Sequence, residues 1–269
     1  MWRVITYTLV LAFSVFILGP LLWLLMSSFK STGQILNDPF ALPDGLYLGN
    51  YEAVTGSAFW RFYFNSLVVT FGSLAGIAVI STTMAYGLSR FQFRGREVTV
   101  AILFAAIMLP PALVVIPLFR QIQAYGLLDS HLGLILVYIA FALPLSVFIL
   151  RAFFMRIPED LSDAARVDGA NEWRVFYDVI LPIARPPVVT VMILWFVWLF
   201  NEYILSLVLL QTTDQRTLPV GLTLLNSEYG VNFGALAAAL VMSAVPILIV
   251  YWLFSDRFVK GMTAGAIKG

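Results

Sequence analysis

The residues of this chain that could do chemistry are few, and many of them lie in one segment. Residues 159–186 read EDLSDAARVDGANEWRVFYDVILPIARP and hold nine of the chain's 31 charged residues. Cysteine is absent, which excludes disulfides, thiolate metal sites and thiol nucleophiles. The single histidine, His131, cannot form a histidine-cluster metal site alone, and we expect it in a short polar loop. We therefore predict no catalytic residue and no metal site, and expect the charged segment to bind a partner.

Nucleotide and nucleic-acid chemistry are also unsupported by the sequence. There is no G-x-x-x-x-G-K-[ST] phosphate loop, so the chain has no evident means of holding ATP phosphates. The net charge is only +1, and no basic patch is interleaved with aromatic residues, so no nucleic-acid partner is expected.

The composition places most of the chain in lipid. Hydrophobic residues make up 61% of the sequence and charged residues 12%, against roughly a quarter charged in a usual soluble protein. The mean hydropathy is +0.91. A soluble domain of 269 residues could not bury that much apolar surface, so we predict an all-α polytopic membrane protein.

Six apolar runs are long enough to cross a bilayer, which takes about 20 residues. They cover approximately 5–29, 64–88, 98–118, 132–150, 188–210 and 235–254. The first is longer than a signal peptide's apolar region and lacks an Ala-x-Ala cleavage site, so we expect a permanent helix. With the N-terminus inside, 12 of the 16 lysines and arginines fall on the inner side. Both termini, and the loop 158–186 between spans four and five, are therefore predicted to be cytoplasmic.

This cytoplasmic loop carries two helical patterns separated by a glycine. Pro158 can start a helix, whose positive N-terminal end suits the two acidic residues that follow. Spacing of i, i+3, i+4, i+7 is followed by Leu161, Ala164, Ala165 and Asp168. Gly169 is predicted to end or bend this helix.

The second pattern begins at Asn171, a plausible N-cap. The same spacing is then followed by Trp173, Phe176, Tyr177 and Ile180, and Leu181-Pro182 are expected to end the stripe. One interpretation is an amphipathic element on the membrane surface. The charges are of mixed sign, which gains little from anionic lipid, so a protein partner fits better.

The loop resembles the EAA loop of ATP-binding-cassette importer permeases. The matching residues are Asp163-Ala164-Ala165, Asp168-Gly169-Ala170, Phe176, Ile180-Leu181-Pro182 and Pro186. In that family the loop docks into a cleft on the ATPase subunit and passes its motion to the membrane helices. The resemblance implies that ATPase coupling involves Asp163, Ala164, Ala165, Asp168, Gly169, Ala170, Trp173, Phe176, Leu181 and Pro182. Asp163 stands where the family usually has glutamate, so a salt bridge there would have a shorter reach.

The resemblance extends over nearly the whole chain to MalG-type permeases of carbohydrate importers. It rests on Asn201-Glu202-Tyr203, on RTLPVGL at 216–222, and on GMTAGAIKG at 261–269. It implies a single permease domain over 1–269 in a bacterial or archaeal cell membrane. The implied partners are a second, MalF-like permease, two ATPase subunits and an extracytoplasmic sugar-binding protein, besides membrane lipid. ATP and Mg²⁺ would bind the ATPase subunits, with no cofactor on this chain and no covalent chemistry in it.

Glu202 is the one formal charge well inside a predicted span. Intramembrane carboxylates are costly and usually face a cavity or a partner. A sugar pathway needs polar and aromatic groups, so its candidates are Trp198, Asn201, Glu202 and Tyr203. The alternative is that Glu202 only hydrogen-bonds a neighbouring helix or reaches the outer interface. In the resembled family the sugar site can also belong to the other permease.

Four further features have structural or functional interpretations. Met108-Leu109-Pro110-Pro111 and Pro117 in span three predict a bend suited to alternating access. Small residues at four-residue spacing predict close helix packing in spans two and six; they are Gly72, Gly76, Ala235, Ala239 and Ser243. The outer loop 30–63 could cap the partner permease. In the loop 211–234, the resemblance suggests that Asn226, Ser227, Glu228 and Tyr229 contact the binding protein, with an ordinary loop as the alternative.

The predicted function is therefore the permease subunit of an ATP-driven sugar or oligosaccharide importer. A permease of the same type for glycerol-phosphate or another small polar solute is the alternative within transporters. An ion-coupled secondary transporter would need several titratable groups at mid-membrane, of which only Glu202 qualifies. A receptor or scaffold without transport is the remaining class.

Overall fold

The computed structural model describes residues 2–228 and 232–266, with side chains described except at 112, 225–228 and 255–266. Within these ranges the regular elements are all helices, as predicted. They are α1 Trp2–Ser27, α2 Thr32–Asn37, α3 Gly49–Thr55, α4 Phe59–Arg90, α5 Arg96–Ile107, α6 Pro111–Ala124, α7 His131–Phe154, α8 Asp160–Val167, α9 Glu172–Ile183, α10 Arg185–Asn201, α11 Ile204–Leu209, α12 Leu218–Glu228 and α13 Phe233–Ala266. A short 3₁₀ turn at Thr213–Gln215 precedes α12.

Four of the described helices are long and apolar enough to cross a membrane: α1, α4, α7 and the part of α13 from Phe233 to Phe254. A fifth candidate arises if α9 and α10 count as one span, although they meet at a bend of 73°. α4, α7 and α13 contain the predicted spans two, four and six, and α1 covers the first predicted span, 5–29, up to Ser27. The six-span topology with both termini in the cytoplasm stays a prediction.

The third predicted span, 98–118, is not one helix. α5 ends at Ile107, and Pro110 is extended with ψ of 132° before α6 begins at Pro111. Because prolines at 110 and 111 lack N–H groups, no helical hydrogen-bond ladder can continue across them. The predicted bend is therefore a full break, whereas Pro117 is accommodated inside α6. Its part in alternating access stays a prediction.

The fifth predicted span, 188–210, is also interrupted, which the apolar pattern did not indicate. α10 ends at Asn201, Glu202 is extended with ψ of 131°, and α11 begins at Ile204. Glu202 is thus at a helix break, and the prediction that it sits inside a continuous helix is wrong. The prediction of His131 in a polar loop is wrong as well, since it is the first residue of α7, capped by the Ser130 hydroxyl.

The chain divides into two compact units. The first contains residues 1–64 and 216–248, and the second contains residues 65–215 and 249–269. The prediction of a single permease domain stays a prediction. In the first unit, the predicted outer loop 30–63 contains α2 and α3. The buried Asn50 side chain ties this segment together by donating to the carbonyls of Ser28 and Lys30 at 2.9 and 2.8 Å.

The second unit is organised by close packing of α4 on α7. A Cβ on Gly72 would approach the Ile135 side chain to 2.9 Å, and a Cβ on Gly76 would collide with Ile139. The small residues of α4 thus allow another helix of the same chain, α7, to pack closely against them. In the first unit, Ala235 and Ala239 of the second stripe are buried, while Ser243 is half-buried.

Candidate functional site

The first half of the predicted loop is α8, which begins at Asp160, two residues after Pro158. Asp160 and Asp163 lie in its first turn, where carboxylates favour the positive helix end. Its predicted face stays largely open: Leu161 is 43% exposed, Ala164 and Asp168 are exposed, and Ala165 is half-buried.

Gly169 ends α8 in a Schellman motif. Its φ is +85°, its N–H donates to the Arg166 carbonyl at 3.0 Å, and the N–H of Ala170 donates to the Ala165 carbonyl at 2.9 Å. This left-handed conformation is nearly free for glycine and strained for other residues. The glycine turn predicted from the sequence is confirmed.

Asn171 begins the second half as predicted, with its side chain accepting from the Arg174 N–H at 2.9 Å. α9 is not a plain α-helix, however, because residues Val175–Ile180 form a π-helical segment. The Leu181 N–H donates to the Phe176 carbonyl, five residues back, and helical structure continues to Ile183. The backbone therefore stays helical past Leu181-Pro182, where the sequence predicts the end of the stripe, and the chain turns at Ala184.

The π segment separates the predicted aromatic stripe into two faces. Phe176 and Ile180 are buried in a cluster with Val175 and residues of α4 and α7, and the Phe176 and Tyr86 ring centroids are 4.9 Å apart. Trp173 and Tyr177 are 61% and 54% exposed and stack on each other at 6.2 Å. Leu181 and Pro182 are half-buried, as is Ala170. The inner face packs the loop against α4 and α7, and the outer face is exposed.

Arg166 joins the two halves of the loop. Its guanidinium donates to Asp163 Oδ1 at 2.7 Å within α8, and to Glu172 Oε1 at 2.8 Å at the start of α9. Glu172 Oε2 also accepts from the Tyr86 hydroxyl of α4 at 3.2 Å. Sequence reasoning missed this network, since Arg166 and Glu172 counted there only as members of a mixed-charge set and Tyr86 lay in an apolar run.

The hydrogen bond from Arg166 lowers the pKa of the Glu172 carboxyl below its ordinary value. A carboxyl with a lowered folded pKa contributes stability that is present above its unfolded pKa and is lost as pH falls through the folded value. The Arg166–Glu172 link is therefore fully formed at neutral pH.

The four pathway candidates lie together in the second unit. Trp198, Asn201, Glu202 and Tyr203 line an open cavity of about 550 Å³, whose other walls are largely apolar. Pro111, at the break between α5 and α6, contributes to the same cavity. Both helix interruptions thus meet at one cavity, as expected when irregular backbone at membrane depth lines a pathway.

The Glu202 carboxylate accepts hydrogen bonds from backbone N–H groups in the first turn of α11, directly after the helix break. Oε1 accepts from the Leu205 N–H at 2.8 Å, and Oε2 accepts from the Ser206 N–H at 3.1 Å and the Tyr138 hydroxyl at 2.7 Å. The carboxylate therefore caps the N-terminus of α11 and links α11 to α7. This is the hydrogen bond to a neighbouring helix that the sequence indicated as the alternative role of Glu202. Asn201, by contrast, donates only within its own helix, to the Val197 carbonyl.

The predicted binding-protein contacts are less defined. Asn226, Ser227 and Glu228 fall in α12, so the backbone is helical there, and their contact with a binding protein stays a prediction. Their side chains and the whole of Tyr229 lie outside the described residues.

Comparison with known proteins decides the family. The sequence pattern of the family described as binding-protein-dependent transport system inner membrane component matches residues 77–262. The chain is 40% identical over 267 residues to the diacetylchitobiose uptake system permease protein NgcG of Streptomyces coelicolor, covering 98% of this chain and 88% of that one. It is 35% identical over 271 residues to the trehalose transport system permease protein SugB of Mycobacterium tuberculosis, covering 100% and 97%. The chain belongs to this family.

A solved structure agrees with this assignment. A chain of a bacterial ABC transporter involved in import of the acidic polysaccharide alginate superimposes with a TM-score of 0.85 at 25% identity, covering 96% of both chains. This binding-protein-dependent permease is thus a multi-pass membrane protein, and its relatives are transport subunits. The segment that defines the family contains both the loop and the cavity.

In this permease, Arg166→Gln is expected to lower the sugar transported per ATP hydrolysed by about fivefold, because an exposed ion pair contributes up to about 1 kcal/mol. Arg174→Gln is the matched control, since Arg174 is exposed in the first turn of α9 and makes no described side-chain contact. Uptake and ATPase rates of the reconstituted transporter measure the ratio. Equal losses in the two variants would contradict the joining role of Arg166.

Glu202→Gln is expected to lower both uptake and thermal stability. Whichever way the new amide is oriented, its NH₂ would face a backbone N–H donor, at an expected cost of about 1–3 kcal/mol. Asn201→Ala is the control, because it changes the cavity wall without touching the cap. A Glu202→Gln protein with an unchanged melting temperature would show that the cap is dispensable.

Proposed function

We propose that this chain is one of two permease subunits of an ATP-driven importer that carries an oligosaccharide or disaccharide into a bacterial or archaeal cell. Six spans with both termini in the cytoplasm would place the loop 158–186 on the inner side. A MalF-like permease, two ATPase subunits that bind ATP and Mg²⁺, and an extracytoplasmic sugar-binding protein complete the complex. This chain itself holds no cofactor.

The division of the loop into an anchored and an open face carries the proposal. Phe176 and Ile180 are buried against α4 and α7, whereas Leu161, Trp173 and Tyr177 are exposed on the outer side. An apolar, partly aromatic outer surface with a charged rim has the composition of a protein interface. A force applied there would pass to α4 and α7 because Phe176 and Ile180 are buried against those helices.

The residues proposed to meet the ATPase are those whose side chains or backbone are accessible. They are Asp163, Ala164, Ala165, Asp168, Gly169, Ala170 and Trp173. Phe176 takes the anchoring role, and the half-buried Leu181 and Pro182 connect the loop to α10.

The cavity at the two helix breaks supports a pathway for a polar, ring-shaped solute. Trp198 offers an aromatic face, and Asn201 and Glu202 offer amide and carboxylate groups on the same wall. Sugars are bound by this combination of stacking and polar contacts. The relatives' names point the same way, since they include transport systems for trehalose and galactooligosaccharides.

Reconstitution in vesicles tests the proposal. The chain is combined with a second permease and ATPase subunits, and the candidate sugar is presented on its binding protein. We expect uptake that requires ATP and binding protein together. Uptake by the chain alone on a proton or sodium gradient would establish an ion-coupled transporter. ATP-driven uptake of glycerol-phosphate but no sugar would establish the other solute class, and partner binding without any uptake would indicate a scaffold.

A further inference from the structure

Two arginines converge on one backbone carbonyl at the end of α4. Arg96 Nε, at the start of α5, donates to the Leu88 oxygen at 2.9 Å, and Arg151 Nε of α7 donates to the same oxygen at 3.2 Å. The two guanidinium groups therefore lie side by side. Leu88 is buried in α4, and its carbonyl links α4 to α5 and α7 through the two arginines.

Among the described residues, these two cations have little acidic charge beside them. The carboxylate within 4 Å is that of Glu97, which is 3.9 Å from Arg96 Nε and whose side chain is 81% exposed. The neighbouring Arg90 is engaged elsewhere, donating to the Ile157 carbonyl at 2.7 Å with Glu159 at 3.7 Å. Adjacent guanidinium groups repel, and a phosphate can bridge them through charge-assisted hydrogen bonds.

A shallow apolar groove of about 10 Å³ lies between α5 and α7, so an occupant would lie over it. It is lined by Arg151 and by six apolar residues: Leu88, Val100, Leu103, Phe104, Val147 and Phe148. Both phenylalanine rings are at least half exposed, and their centroids are 6.2 Å apart. The groove thus combines a cationic residue with an apolar lining, on one side of α7, which is long and apolar enough to cross a membrane.

We propose that this groove is a binding site for one anionic glycerophospholipid. The lipid phosphate lies between Arg96 and Arg151, and one acyl chain lies along Val100, Phe104 and Phe148. Basic pockets between membrane helices are suited to such headgroups. The bound lipid would fix neighbouring ends of α4, α5 and α7 relative to one another, and two of these helices, α4 and α7, anchor the loop 158–186.

Lipid retention by the purified transporter tests the site. The complex is placed in nanodiscs that contain equal amounts of phosphatidylglycerol and phosphatidylcholine. The ratio of the two lipids retained after delipidation is then measured by mass spectrometry. We expect the wild type to retain phosphatidylglycerol preferentially and Arg151→Gln to reduce that preference about fivefold. Arg94→Gln removes the same charge from an exposed neighbour and should leave the preference within about twofold.

Two results would overturn the proposal. One is wild-type retention of the two lipids in the bulk ratio; the other is an Arg94→Gln loss as large as that of Arg151→Gln, which indicates diffuse attraction. A measurement on the wild type does not depend on a variant folding. Phosphatidylglycerol with a photoreactive acyl chain should label 100–104 and 147–148, and equal labelling of α1, whose apolar residues are exposed in this chain, would also overturn the site.

Discussion

Gly169→Pro is expected to reduce ATP-driven uptake by about two orders of magnitude. Proline fixes φ near −65° and has no N–H, whereas Gly169 has φ of +85° and donates to the Arg166 carbonyl. An incompatible proline costs about 3 kcal/mol or more, which corresponds to about a hundredfold loss of the correctly folded loop. Uptake and ATPase rates of the reconstituted transporter measure the effect, which we expect as ATP hydrolysis without transport.

Gly169→Asn is the control for this experiment. Asparagine visits the left-handed region more readily than other residues and keeps its N–H, so we expect a loss of less than about tenfold. If Gly169→Pro transported as well as Gly169→Asn, the geometry of the turn would have no part in coupling.

Phe176→Ala is expected to detach the loop from the membrane helices. Phe176 is 2% exposed and packs on Tyr86, and truncating a buried phenylalanine typically costs about 3–5 kcal/mol. The loop would then open to protease cleavage between α8 and α9, and uptake would fall with it. Limited proteolysis of the assembled transporter, followed by uptake assays, measures both.

The adjacent Tyr177→Ala separates anchoring from docking. Tyr177 is 54% exposed, so its removal should change loop stability by less than about 1 kcal/mol. It removes one of the two stacked outer rings, and we expect weaker association with the ATPase subunit. Equal protease sensitivity in the two variants would contradict the division of the loop into inner and outer faces.

Much of the loop could be predicted because its signals are local. The glycine turn and the Asn171 cap depend on backbone geometry that only a few residue types favour, and both formed where the sequence placed them. The π-helical segment 175–180 could not be predicted, because residues there obey the α-helical spacing. The π-helical segment changes the direction of the side chains that follow Arg174. The four residues of the stripe, which α-helical spacing places on one face, therefore lie on two faces.

The two interrupted spans show the same contrast. Pro110-Pro111 predicts the break between α5 and α6, because a residue without an N–H removes a helical hydrogen bond at its own position. The break at Glu202 has no proline or glycine, and it exists because one carboxylate accepts from Leu205, Ser206 and Tyr138. Tyr138 is 64 residues away in sequence. The polar triplet 201–203 within an apolar run was the sequence signal at this position. It indicated a solute pathway and did not indicate a helix end.

Cross-linking of the loop to an ATPase subunit is the most direct test of the coupling role. The chain has no cysteine, so Ala164→Cys on the exposed face of α8 gives a single reactive thiol. Tyr125→Cys, at an exposed position after α6, is the control. We predict that Ala164→Cys forms a cross-link to a cysteine in the ATPase cleft, with a yield that changes on ATP binding, and that Tyr125→Cys forms none. No cross-link from Ala164→Cys in a transporter that still takes up sugar would contradict the account.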